Sequence, residues 1–173
     1  MGHRMIVDLG PRAVSVTSDE PTAVFQATAM RTVELIPKRE HSETRRALVE
    51  LRRFQGGLAP HALLGGEYVP GGEVVVIRVG EGHPDGRRTC RVKLGGRKMI
   101  PGLPSDLMES ALGGLARTLE LAAGVVSIDR AAFDPVDTSP LAVELTAELL
   151  GRALSLGAAP SEAQLRSWLD ALP

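Results

Sequence analysis

The sequence predicts an α/β sandwich, a sheet with helices on one face, and three observations predict it. The first half of the chain is cut by Gly and Pro into short apolar and β-branched runs, the punctuation of strands and turns. The second half holds two long stretches with apolar residues at helical spacing and one apolar run between them. Hydrophobic residues make up 43% of the 173 residues but aromatics only 3%, so the core must be built from Leu, Val, Ile and Ala.

Residues 5–8 and 13–17 read as strands around the Gly10-Pro11 turn, and 18–21 as a second turn. Residues 22–36 are rich in Thr and Val and read mainly as extended chain, ended by Pro37. Residues 42–54 read as a helix: Ser42 is a candidate N-cap, Ala47, Leu48, Leu51 and Phe54 follow helical spacing, and Gly56-Gly57 stops it. Residues 58–70 read as a loop carrying Gly65-Gly66. Pro70-Gly71-Gly72 turns into a strand over 73–79; residues 80–86 are a further turn, and 87–94 alternates as that strand's hairpin partner. After Pro104 a helix carries Leu107, Met108, Ala111, Leu112, Leu115 and Leu119 in one apolar stripe. Gly113-Gly114 inside it costs about 1 kcal/mol each relative to Ala, which points to close approach of another backbone or to a weak point. Residues 125–129 read as a strand and 131–139 as a loop. Residues 140–156 read as a helix with Leu141, Leu145, Leu149 and Leu150 on one side. Ser161 and Gln164 form a capping box for a short last helix to about 172.

Net charge is −1 but unevenly spread. Residues 1–100 hold 16 Lys/Arg against 11 Asp/Glu, a balance of +5; residues 101–173 hold 4 against 10, a balance of −6. A globally basic nucleic-acid binder is not indicated, while a local basic face on the first half stays open. Cys90 is the single cysteine, so no intrachain disulfide forms, which fits a reducing, cytoplasmic compartment. No run approaches the roughly 20 apolar residues of a membrane span, and the first residues lack a signal-peptide core, so no membrane partner is expected. His3, His41, His61 and His83 have no metal-ligand spacing, and no motif calls for a cofactor.

Three stretches then follow one another in a meaningful order. Glu20-Pro21-Thr22-Ala23-Val24-Phe25 precedes Thr32-Val33-Glu34-Leu35. Gly65-Gly66-Glu67-Tyr68-Val69-Pro70-Gly71-Gly72 runs into the strand at 73–79. The run at 125–139 ends Phe133-Asp134-Pro135-Val136-Asp137-Thr138-Ser139, with Leu141, Ala142 and Ala147 beyond it. Across about 19–156 these resemble the fourth domain of elongation factor G, which tetracycline-resistance ribosomal protection proteins share. The resemblance implies a ribosomal protein S5 domain 2-like fold and a ribosome-facing loop tip. The departures are specific. No Gly-x-x-x-x-Gly-Lys-Ser/Thr loop exists, so GTP chemistry is not expected. The segment at about 37–64 is an insertion, a helix with a loop, within a domain spanning 1–157. A helical appendage over 158–173 stands where the family's fifth domain follows. Where the family often presents a His at the tip, this chain has Asp134 followed by Pro135, and a negative tip is repelled by RNA phosphates.

Two basic groups are candidate RNA contacts. Arg45, Arg46, Arg52 and Arg53, with Lys38 and Arg39 nearby, form either a phosphate-binding patch or a solvated helix face balanced by Glu40, Glu43 and Glu50. Arg87, Arg91 and Lys93 share one side of the expected hairpin, among Arg88, Arg97 and Lys98, as an RNA face or as a charged edge that blocks strand pairing. The loop-tip candidates are Tyr68, Phe133, Asp134 and Asp137. Tyr68 either stacks on a base or packs locally; Asp137 or Thr138 either contacts a partner or caps the next helix. Cys90, on an expected strand, reads as a small core residue. The leading function is a stand-alone, non-GTPase module that binds the ribosome or structured RNA. Two alternatives stay open. One is a small enzyme, whose nearest acid–base set is Asp129, Asp134, Asp137 and His83. The other is a protein-interaction module that docks a partner or a second copy through an exposed apolar patch at Leu165, Trp168 and Leu169.

Overall fold

Gly10, at φ 82°, turns the chain back after Arg4–Asp8 (β1), so that Arg12–Thr17 (β2) pairs with it antiparallel. The remaining strands are Ala29–Leu35 (β3), Arg45–Arg53 (β4), His61–Pro70 (β5), Val75–Glu81 (β6), Ile100–Pro101 (β7) and Gly124–Phe133 (β8). The helices are Ser105–Thr118 (α1), Pro140–Ser155 (α2) and Glu162–Asp170 (α3). This computed structural model describes residues 2–18, 20–54, 56–82, 89–95 and 98–173. The described residues form a mixed α/β fold: one eight-stranded sheet in the order β1-β2-β4-β5-β8-β6-β3, with β7 added on β8 and three helices. Every pairing is antiparallel except β6 with β8, which are joined through α1.

The helices lie on one face, as the sequence predicts. α1 packs on β6 and β3, α2 on β4 and β5, and α3 on β1 and β2. Their stripes, with Leu115, Leu145, Leu149, Leu165 and Leu169 all 2% exposed or less, close on Val14, Val49, Leu64, Ile77 and Val126 of the sheet. Gly114 allows this closeness: a Cβ there would stand 2.3 Å from the Glu144 carbonyl oxygen on α2, whereas Gly113 faces open space. So one glycine of the pair marks a close backbone approach and the other does not. The capping box of Ser161 and Gln164 is present. α2 is capped by Ser139, whose hydroxyl accepts from the Ala142 amide at 3.1 Å, and not by Asp137 or Thr138.

Three expectations are overturned. Residues 42–54 hold no helix; Arg45–Arg53 is a strand inside the sheet. Residues 61–70 are not loop but its partner β5. Both strands are covered on both faces, so their apolar runs are continuous, and a continuous run fits helical spacing as well as strand alternation. Gly65-Gly66 looks like a loop but serves close packing. A Cβ on Gly65 would meet Leu48 Cδ1 at 2.7 Å, and one on Gly66 would meet the Ser127 carbonyl oxygen at 2.5 Å. Finally, β6 is flanked by β8 and β3, not by a strand over 87–94. Residues 83–88 lie outside the described residues; 89–94 cross the second face of the sheet and touch a strand-like partner only where Cys90 bridges Met99.

That second face is closed by the crossing segment and by residues 20–25. Ala23 of that cover packs with Leu48, Leu63, Met99 and Ala132, and Cys90 and Val92 lie alongside. Polar anchors hold the cover down. Arg130, fully buried, donates to the Glu20, Ala47 and Gly66 carbonyls and to Asp129. It sits at the register shift between Gly65 and Gly66.

Candidate functional site

Turning 42–54 into a strand divides its arginines. Alternate residues of a strand face opposite ways, so Arg45 and Arg53 share the side of Ala47, Val49 and Leu51, under the helices. Arg46 and Arg52 share the side of Leu48. No single face carries all four. Arg46 pairs with Asp129 at 3.0 Å and Glu67 at 3.5 Å. Arg52 donates to the Leu94 carbonyl, lies 3.4 Å from Asp8 and stacks 4.7 Å over the Phe54 ring. Arg53 is buried and donates to the carbonyl oxygen of Pro173. Burial, and after it the neighbouring Arg12, lower its pKa. These three cations are spent within the fold.

Arg45 is different. It has no hydrogen bond or ion pair among the described residues, and it lies where two open grooves meet. One, of 380 Å³, runs between Arg39, His41 and Ser42 and the end of α2 at Ser155; the other, of 200 Å³, reaches His3 and Ser18. Arg39 in turn is shared with a third groove of 280 Å³, which holds Arg152 and Arg117. Arg39 donates to the Ser155 carbonyl at 2.6 Å and lies 3.7 Å from Glu120. Arg152 has no ion pair among the described residues, and its buried Nε lacks a partner. Arg117 is held by Glu144 and Glu148, which keep its guanidinium charged. The cations thus converge at the end of the sheet where β4 begins, beside Glu43 and Glu120.

The other predicted sites fare unevenly. Of the second basic group, Arg87, Arg88 and Arg97 lie outside the described residues. Lys93 is described and reaches Glu20 at 3.3 Å; Arg91 is exposed on the crossing segment. Tyr68 cannot stack on a base: its side chain is 0% exposed and its hydroxyl donates to the Ala122 and Ala123 carbonyls at 3.1 Å. Phe133 is also not a tip residue; it is buried as the last residue of β8. Asp134 and Asp137 do stand in the loop between β8 and α2. Asp129 is mid-strand, held by Arg46 and Arg130, and His83 lies outside the described residues, so the four-residue acid–base set is not assembled among them. Leu165 and Leu169 are wholly buried and Trp168 packs partly against the same core, so α3 turns the expected apolar patch inward. Burial pushes the Cys90 thiol up, away from thiolate chemistry. Among the described residues no group of His, Cys, Asp and Glu is placed to hold a metal, and no helix is long and apolar enough to cross a membrane.

Sequence reasoning missed one pair. Glu50, 2% exposed, lies 2.6 Å from His61 Nε2 and accepts the Lys93 and Leu94 amides at 2.8 and 2.9 Å. Read as one face of a helix, Glu50 balances arginines; read as one strand of a hairpin, it faces the start of β5. That reading would have found the pair.

Comparison with family models, with curated proteins and with solved structures finds no match for this chain.

Proposed function

We propose that the protein is a non-catalytic binding module of the elongation factor G domain IV type, without a GTPase, that contacts structured RNA, with the ribosome as its first candidate partner. The groove system around Arg45 carries this reading. A guanidinium without an acidic partner, at the junction of grooves shared with Arg39 and Arg152, offers charge and donors to phosphate oxygens at little cost to the fold.

The family reading adds support through placement. The three resembling stretches fall on β3 and the segment before it, on β5 with the turn into β6, and on β8 with the loop to α2. The segment at 37–64, expected as an inserted helix with a loop, instead supplies β4 and the start of β5 inside the sheet; with those strands counted in the core, β4, β5, β6, α1, β8 and α2, arranged as two layers, are compatible with a ribosomal protein S5 domain 2-like fold. The phosphate-facing surface proposed here is not the loop tip, where Asp134 and Asp137 would repel phosphate. It is the other end of the sheet.

Co-sedimentation with ribosomes and separated subunits tests it. Binding is expected to saturate and to weaken with salt, losing roughly 0.9 in log K per log salt for each phosphate contact. Arg39→Glu with Arg45→Glu should abolish it, while Arg31→Gln, on the edge strand β3 and paired with Glu109, should leave it intact. Binding that ignores Arg39 and Arg45, or none at low salt, refutes the reading.

A further inference from the structure

β3 is an open edge of the sheet. Among the described residues it pairs with β6 alone, and beyond that ladder the main chain of residues 29–36 has no hydrogen bond. Alternate residues of such a strand turn both amide and carbonyl outward, ready to pair with another strand. Edges are ordinarily guarded by short length, bulges, prolines or charges. β1, at the other end of the sheet, is five residues long with a charge at each end. β3 runs seven residues in unbroken register with β6, with no Pro or Gly inside it. Its Arg31 is drawn onto α1 by Glu109.

The two faces of β3 differ. Val33 and Leu35 pack on the helix-side core, and Arg31 shares their side. Met30, Thr32 and Glu34 take the other face, with Met30 opposite Gly80 and Thr32 opposite Arg78 of β6. Ile36 comes next. It precedes Pro37, which holds it extended and continues the alternation onto the face of Met30. Met30 is 52% exposed and Ile36 85%. Glu34 and Arg78 are also exposed, and neither has an ion pair among the described residues.

We propose that β3 pairs antiparallel with β3 of a second copy, about a two-fold axis at Val33, so that two sheets become one. An axis perpendicular to the sheet keeps each face continuous, so directly opposed residues share a face. Few registers meet that condition, and charge chooses among them. An axis at Arg31 sets that cation against itself. An axis at Glu34 sets the carboxylate against itself, and one at Thr32 sets Met30 against Glu34. An axis at Val33 sets Met30 against Ile36 at both ends and Thr32 against Glu34, so the exposed apolar side chains cover each other. Arg78 then lies in one cross-strand row with Glu34 of the second copy, two strand spacings of about 4.8 Å away, within reach of a long side chain. The strand is self-complementary in this register, which favours a second copy over an unrelated peptide. The pairing uses neither the arginine grooves nor α3. An interface of one strand and its flanks lies at the small end of specific contacts, so dissociation is expected at about ten to a hundred micromolar.

Sedimentation velocity and amide hydrogen exchange on the full chain, from about 1 μM to about 1 mM, test it. The chain should pass from monomer to dimer, and β3 amides should gain protection as it does. Met30→Lys and Ile36→Glu, both at exposed positions, should each weaken the dimer about tenfold. An equimolar mixture of the two variants should regain it, because the new ammonium faces the new carboxylate at one end and Met30 faces Ile36 at the other. Thr32→Glu, placed against Glu34, should weaken it by a similar factor, while Thr32→Lys and Arg45→Glu should retain it. A monomer at every concentration overturns the proposal. So does a dimer indifferent to these substitutions, or a mixture that recovers nothing. An extended peptide of unrelated sequence that protects the same amides while the chain stays monomeric would assign the edge to another partner and overturn it too.

Discussion

The two faces of the sheet are both buried, yet by different physics. The helix face is closed by aliphatic side chains: α1, α2 and α3 set Leu115, Leu149, Leu165 and Leu169 against valines and leucines of the strands. The other face is closed by irregular chain. Irregular chain leaves backbone amides and carbonyls without ladder partners, and each must find one when buried. Arg130 answers three carbonyls, and Glu50 answers two amides and an imidazole. One face therefore depends on volume and the other on polar satisfaction, where removing one partner strands several others.

Substitutions can break this contrast. Arg130→Ala, the largest expected effect, should cost about 3–5 kcal/mol in urea unfolding, because it leaves buried carbonyls without donors. Leu149→Ala on the helix face should cost about 2–5 kcal/mol through its cavity. The two are separated by methionine. Leu149→Met should lose less than about 1.5 kcal/mol, since volume suffices there. Arg130→Met should keep most of the alanine loss, since volume does not replace donors. A full rescue by methionine at 130 would erase the distinction between the faces.

The helix face can be probed within a single dipeptide. Gly114→Ala should destabilise by about 1–3 kcal/mol, because its Cβ meets backbone of α2. Gly113→Ala, facing open space one residue earlier, should stabilise by about 1 kcal/mol. Effects of the same sign would mean that α1 and α2 do not approach as closely as described.

The smallest expected effect concerns pH. Burial pushes the Glu20 carboxyl up, but the Thr22 hydroxyl, Lys93 and Arg4 together outweigh it and hold the pKa below the usual carboxylate range. A lowered folded pKa contributes stability that is present above the unfolded value of about 4.3 and is lost as pH falls through the folded one. The stability difference between the wild type and Glu20→Gln, clear at neutral pH, should therefore close below about pH 4. A difference that persists unchanged into acid would show that the Glu20 charge does not help hold the cover of the second face.

Most of the helix face was legible in the chain. The stripe from Leu107 to Leu119, the turns at Gly10 and Gly71-Gly72, and the capping box at Ser161 are local signals, and each stands where its residues place it. The second face was not. Leu48, Glu50, His61 and Leu63 look like a helix and a loop, because a strand covered on both sides loses the alternation that would identify it. Gly65-Gly66 carries the signature of a turn, and only its neighbours Leu48 and Ser127 show that the missing side chains serve packing. Of the candidate sites, the charged residue types were visible but their grouping was not. Strand geometry sends Arg45 and Arg46 to opposite faces, and burial removes Tyr68 and Phe133 from the surface.

The sequence by itself determined a mixed α/β fold with an aliphatic core, helices on one face and a charge split between its halves, because composition, periodicity and caps act over a few residues. Tertiary structure alone decided which arginines remain without partners, which carboxylate holds His61, and which glycines are contacts and not turns. Those properties depend on residues far apart in the chain, such as Arg130 over Ala47 and Gly66 and Glu50 beneath Lys93 and Leu94, and no local pattern encodes where they meet.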